Sequence, residues 1–340
     1  MPGTRLAEWL YETGIGENRA ALVEGGRILE MQIERDDASG LRVGTIRRAR
    51  LTRKADGSGR GLVTIDGGTP AQLQPVPAGL TEGAPLLVEV IREPLREGAE
   101  TKPLRVRAAP PDAPLVDGPD LHARLVASGL PVRTLGTGPD LLEAHDWSEA
   151  IEQAVSGIVT TPDVLLRIAL TPAMTLIDVD GTGAPADVAL SGARASGEAI
   201  RRFGITGSIG IDLPTVADKA GRQAAASALD AVLPQPFERT AVNGFGFLQI
   251  VRRRERASLI ETVQADPVLT ATLALLRQAE RAPGHGEVLL QANPAVTARI
   301  AARADWLDAL ARALGALVAL RPDDRLAISA GHASRVQNQP

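Results

Sequence analysis

Asp178 and Asp212 each close an apolar run, in AMTLIDVD and SIGIDLP. A run of this kind reads as a buried strand that delivers a carboxylate to its end, and in open parallel sheets sites form beyond the carboxyl ends of strands. Two hard oxygen donors there suit Mg²⁺, which keeps most of its waters and takes one or two carboxylates together with phosphate oxygens of a substrate. Such an ion polarises a phosphodiester and lowers the pKa of an attacking water. Spacing alone favours a plainer role: Asp178 bonds the glycine-rich loop behind it and Asp212 bonds the start of a helix.

The elements around the two aspartates follow from pattern. DVLLRIAL and AMTLIDVD read as a strand pair over 163–180, and EAIRRFGI (198–205) as a short helix. SIGIDLP is the next strand, and TVADKAGRQAAASALDAVL (215–233) a helix with Thr215 as its N-cap. Two strands of one type flanking a crossover make a βαβ unit, which places them parallel. FGFLQIVRRRER (245–256) begins as a third strand and runs into a basic cluster, which suits either an RNA channel, through forked arginine contacts to phosphate, or a solvated strand end.

Upstream, RAALVEGGRILEMQIER (19–35) is two alternating runs joined by Glu-Gly-Gly, a hairpin signal. Between about 40 and 108 five short strand candidates occur (LRVGTIRRARLT, RGLVTIDG, AQLQPV, PLLVEVIREP, PLRVRA), the size of an OB-type barrel. ADGSGRG (55–61) lacks the Lys-Ser/Thr of a phosphate loop and reads as a hairpin tip. The Pro- and Asp-rich stretch 108–120 marks a boundary. LHARLVASGL then reads as helix, LPVRTLG as a short strand, and DLLEAHDWSEAIEQAVSG as a helix with Leu142, Ile151 and Val155 inward. The remainder alternates helix and strand, with GEVLLQANP, ALVALRPD and RLAISAG as strand candidates and RVQNQP as a frayed tail. The expected domains are 1–38, a β hairpin joining the core; 39–108, the barrel; 109–160, linker and helical region; 161–258, the α/β core; and 259–335, a small α+β module.

Composition narrows the classes. A net charge of −4 over 340 residues rules out a chain that is basic throughout, so any polyanion site is a local patch. Cys 0 excludes disulfides and thiolate metal sites and fits a reducing cytosol. Neither a signal peptide nor a membrane span is expected. Aromatics are only 2% of residues, so base-stacking platforms must be small. His122, His145, His285 and His332 lie in unrelated contexts, without ligand spacing.

Taken together, the segments resemble the ribonuclease E/G family. LTPAMTLIDVDG and ITGSIGIDLP are similar to its two catalytic strands, and FGFLQIVRRR to the strand that follows. LRVGTIRRARL, RGLVTIDGG and IREPLREGAETKPLRV resemble its inserted S1 domain, the hairpin ending in QIER its opening, and the closing helix with LGALVALRPD its small terminal domain. The resemblance implies an S1/OB-like β-barrel inserted into an N-terminal β region, an RNase H/DNase I-like α/β catalytic core and a small α+β C-terminal module. It implies a cytoplasmic, Mg²⁺-dependent endoribonuclease of RNA processing or decay that cuts single-stranded RNA by metal-activated water and leaves 5′-phosphate ends. Asp178 and Asp212 would be catalytic and, with Asp180, metal ligands; Lys102, Arg92, Arg252 and Arg253 would contact RNA.

The chain departs from the family pattern at several positions. Asp180 stands for the usual Asn, Gly244 for an Arg, and Thr64 and Leu73 for stacking aromatics. GLPVRT (129–134) looks like the family's 5′-phosphate sensor, but DLLEAHDWSEAIEQAV follows it directly, so most of the sensor region is missing and the match reads as coincidence. Without cysteine there is no zinc-linked tetramer, while a homodimer formed by packing stays open. The rivals are a catalytically inactive RNA-binding protein on the same fold and a metal-dependent phosphatase-like protein.

Overall fold

A computed structural model describes residues 7–36, 40–54, 57, 59–97, 100–136 and 138–336. Strands β1 (Glu8–Gly14), β2 (Glu17–Glu24) and β3 (Arg27–Arg35) form a meander. β4 (Ile46–Lys54), β5 (Gly61–Ile65), β6 (Thr69–Leu73) and β7 (Pro85–Arg92) follow, then the hairpin β8 (Leu95–Glu97) and β9 (Glu100–Lys102), and β10 (Leu104–Ala108). Next come α1 (Leu121–Ala127), β11 (Val132–Thr134) and α2 (Trp147–Ser156). β12 (Ile158–Thr160), β13 (Val164–Leu170), β14 (Thr175–Gly181), α3 (Pro185–Arg202), β15 (Gly207–Asp212), α4 (Lys219–Asp230), β16 (Glu238–Arg239) and β17 (Phe247–Arg252) make the central α/β region. The chain continues through α5 (Leu259–Ala265), α6 (Pro267–Glu280), β18 (Glu287–Ala292), α7 (Pro294–Ala301), α8 (Ala304–Leu314), β19 (Val318–Pro322) and β20 (His332–Val336).

These elements divide into two compact units, each discontinuous in the chain. One is Met1–Asp37, Leu130–Val155 and Thr262–Pro340; the other is Ala38–Gly129 and Ser156–Glu261. In the first, β11-β1-β2-β3 form one sheet and β19-β18-β20 another. The β2–β3 turn is the expected one, with Gly25 and Gly26 both at positive φ. Leu273, Leu276, Val288, Leu290, Ile300 and Trp306 form an apolar core in this unit. Among the described residues, the charged side chains of Glu12, Glu17, Arg19 and Arg277 are buried as well. Arg277 Nε reaches Glu12 at 2.9 Å and Arg19 Nε reaches Glu17 at 2.9 Å, so each charge has a counter-ion where solvent is excluded.

In the second unit the five expected strands close into a barrel in the order β10-β6-β5-β4-β7, with β10 parallel to β6 and the other pairs antiparallel. This arrangement is compatible with an OB-like barrel. Its core is Leu51, Val63, Ile65, Leu73, Val88, Val90, Leu104 and Val106. The hairpin tip expected over 55–61 lies partly outside the described residues. Beside the barrel stands a six-stranded sheet, β12-β13-β14-β15-β17-β16, in which β14 and β15 are parallel neighbours across the α3 crossover, as a βαβ unit requires.

Several expectations need correction. The crossover helix is the whole of Pro185–Arg202, not 198–205 alone. The next helix starts at Lys219 with Asp218 as its cap, accepting from the Gly221 N–H at 2.7 Å, so Thr215 caps nothing there. In α2 the buried face is Trp147, Ala150 and Ala154, while Val155 is exposed. RLAISAG (325–331) is turn rather than strand, and the last strand is His332–Val336; the tail beyond it lies outside the described residues. Among the described residues no single helix is long and apolar enough to cross a membrane.

Candidate functional site

β14 is not a strand buried on both faces, as its apolar run had suggested. Its residues alternate: Thr175, Ile177 and Val179 are buried, while Leu176, Asp178 and Asp180 are exposed. The period of two explains this, since successive side chains leave a strand on opposite faces. The α3 helix covers one face, with Val188, Ala189, Gly192, Ala193 and Ile200 buried, and the other face is open.

On the open face the register brings the carboxylates together. Arg167 of β13 is opposite Asp178 of β14, Asp178 is level with Asp212 of β15, and Asp212 is opposite Phe247 of β17. Arg167, Asp178, Asp212 and Phe247 therefore form one row across four strands. Neighbouring strands run about 4.8 Å apart, so the Asp178 and Asp212 side chains project side by side. Asp180 lies on the same face, two positions along from Asp178.

Arg167 divides this acidic set. Its Nη1 donates to Asp180 and lies 3.4 Å from an Asp178 oxygen. The hydrogen bond to Asp180 is the main reason the Arg167 pKa is raised above the ordinary arginine value. Asp180, expected as a metal ligand, is thus engaged by a cation of the protein itself. Among the described residues no group of three or more His, Asp or Glu side chains is placed to hold a metal ion. The two remaining carboxylates, Asp178 and Asp212, still fit a hydrated Mg²⁺ in donor type and placement, because that ion takes one or two carboxylates and fills the rest of its shell with water. Nor do they act as caps: the α4 cap is Asp218, and the Asp178 carboxylate faces Arg167.

Arg92 and the arginines after β17 meet at a junction between barrel and sheet. The Glu93 N–H, just past β7, donates to the Glu255 carbonyl at 2.8 Å, which brings Arg92 close to the segment after β17. Much of the cluster is held by the fold. Arg252 Nη1 donates to the Ile205 carbonyl at 2.9 Å, Arg253 pairs with Glu255 at 3.1 Å, Arg254 with Glu261, and Arg256 with Glu93 at 3.8 Å. Arg92 Nη2 donates to the Pro103 carbonyl at 2.9 Å. Lys102 is exposed on β9, and Arg253 keeps 72% of its side chain exposed despite its pairing. Leu73 is fully buried in the barrel core, as the alternation in β6 dictates, so it is no stacking position; Thr64 is half-buried. Arg133 and Thr134 lie on β11, paired with β1 in the first unit.

Sequence reasoning missed two contributors. Arg167 sits within DVLLRIAL, and a lone charge inside an apolar strand run was the signal that it faces the carboxylates' side of the sheet. The other is the pair Phe245 and Phe247: the sequence names them but does not say that Phe247 packs on the open face while Phe245 stands exposed beyond it. No protein-family model matches the chain, and no curated protein matches it.

Proposed function

We propose that this chain is a compact Mg²⁺-dependent endoribonuclease of the ribonuclease E/G type, acting on single-stranded RNA in cytoplasmic processing or decay. The observation that carries this reading is the register of Asp178 with Asp212 on an open sheet face. The closed five-stranded barrel in the same unit supports it, taken as the S1-like part of the family pattern. The six-stranded sheet with its crossover helix takes the place of the catalytic core, and the C-terminal helices and strands that of the small terminal module.

In this reading Asp178 and Asp212 hold the ion from neighbouring strands. Bound Mg²⁺ supplies positive charge that polarises the phosphodiester and acidifies an attacking water. Water adds to phosphorus and the bond to the 3′ oxygen breaks, leaving a 3′-hydroxyl and a 5′-phosphate. Arg167 holds Asp180 aside and sets a fixed positive charge next to the reacting group, where a phosphate oxygen can share it. Lys102, Arg92 and Arg253 supply sequence-independent attraction to the RNA backbone.

One observation favours the inactive RNA-binding alternative: the acidic row already carries its own counter-ion in Arg167. A single experiment separates the two. A labelled, AU-rich single strand is incubated with Mg²⁺ and wild type, Asp178→Asn or Asp212→Asn. The nuclease reading expects the wild type to cut and each variant to lose at least about 100-fold in rate while still binding RNA. Binding without cutting by wild type would establish the alternative, and neither binding nor cutting would remove RNA from the assignment.

A further inference from the structure

The chain holds three Trp, one Tyr and four Phe. Trp9, Trp147, Trp306, Tyr11 and Phe203 are all buried. The remaining rings, Phe237, Phe245 and Phe247, fall within one segment that leads into and forms the strands beside Asp212. The barrel segment 40–108 contains no aromatic residue at all. Among the Phe, Tyr and Trp rings of this unit, those outside the core therefore lie in the segment 237–247 that leads into β17.

Phe245 is the most exposed of the large hydrophobic residues in that unit, at 84%. Its backbone is nevertheless fixed. The Asn243 side-chain oxygen accepts from the N–H groups of Phe245 at 2.9 Å and Phe247 at 3.1 Å. The Gly246 carbonyl accepts from the Leu213 N–H at 3.2 Å, tying the loop to the residue after Asp212, and Thr215 Oγ1 donates to the Phe245 carbonyl at 3.3 Å. Gly246 has φ +93°, and a Cβ there would come within 2.0 Å of the Leu213 carbonyl oxygen, so only glycine permits this approach. Phe247 lies on the open face itself: a Cβ at Gly210 would meet its ring at 2.6 Å and the Leu176 side chain at 3.0 Å. One ring is thus packed in the row of carboxylates, and a second is held in solvent beyond the end of β15.

We propose that Phe245 is the base-stacking platform of this site and grips a nucleotide of single-stranded nucleic acid next to the phosphate that the Asp178–Asp212 pair addresses. The proposal rests on the RNA reading above and relocates the aromatic contact from the barrel to the end of β15 beside the start of β17. A flat ring on a backbone already ordered loses little freedom on binding, and every base offers a face to it.

The test is fluorescence anisotropy of a labelled single-stranded RNA with the full chain in EDTA, where no cutting occurs. Phe245→Ala should weaken binding by roughly 5- to 150-fold, the range for loss of one stacked base. The salt dependence of binding should stay unchanged, because phosphate contacts are untouched. Phe245→Trp should restore affinity and Phe245→Leu should not. Equal binding by Phe245→Ala and wild type would overturn the proposal while leaving the RNA reading intact, as would full rescue by Leu. A change in oligomeric state with unaltered RNA affinity would show the ring to be a protein contact and overturn it equally. Absence of RNA binding by wild type would overturn both.

Discussion

Arg167 decides how open the acidic row is to a cation. Its guanidinium donates to Asp180 and approaches Asp178, so an ion joining Asp178 and Asp212 must compete with it for the Asp178 oxygen. Arg167 is half exposed, and exposed pairs are weak and screened, so the competition is modest. Arg167→Gln should therefore lower the Mg²⁺ concentration giving half-maximal thermal stabilisation by roughly 2- to 5-fold. The measurement is a thermal shift across a Mg²⁺ series, with Asp178→Asn as the variant expected to respond least. Should Arg167→Gln abolish the shift instead, the arginine is organising the carboxylates rather than competing for them.

At the scale of elements, the open sheet face depends on a helix that pattern reading largely overlooked. The α3 sequence PADVALSGARASGEAIRR is rich in Ala, Gly and Ser, so no strong apolar stripe announces it, and only its last turns were recognised. The same small residues let it pack closely: a Cβ on Gly192 would come within 2.3 Å of Val179 Cγ1 on β14. By contrast, the barrel strands and β13, β14, β15 and β17 were legible, because alternating or continuous apolar runs bounded by Gly and Pro fix their extent. Asp178 and Asp212 were legible as a pair for that reason. Arg167 was not, since its partner across an antiparallel pair is set by register, which no single segment encodes. Gly192→Ala tests the close packing. In an isolated helix alanine gains up to about 1 kcal/mol, yet overpacking a core costs about 1–3 kcal/mol. The variant should be less stable by about 1 kcal/mol in urea unfolding, and because Val179 lies between Asp178 and Asp180, it should also lose Mg²⁺-induced stabilisation. A gain in stability would mean that the helix and β14 leave room for a methyl group beside Val179.

At the scale of the whole chain, its first and last segments complete one unit, and buried charge marks where they meet. Arg277 on α6 bonds Glu12 on β1 across 265 residues of sequence, a pairing that no local pattern could have revealed. Glu280, one turn further along α6, is a carboxyl in the same surroundings. Burial pushes its pKa up, against the opposing pull of Arg19, of the Ile15 backbone N–H and of Arg277. The sign of the linkage follows from proton counts. With a folded pKa above the unfolded one, the native state binds more protons in the window between them, so stability falls as pH rises from the ordinary carboxylate range through the raised value. Above that window the ionised Glu280 is a net cost to the fold. Glu280→Gln keeps the shape and removes the ionisation, so its unfolding midpoint should exceed that of wild type near pH 7 and match it near pH 4. Scanning both proteins over that range by calorimetry checks the prediction. A variant less stable near pH 7 would show that the attraction of Arg19 and Arg277 for the carboxylate outweighs its burial, and that Glu280 belongs with Glu12 and Glu17 among the charges that hold this unit together.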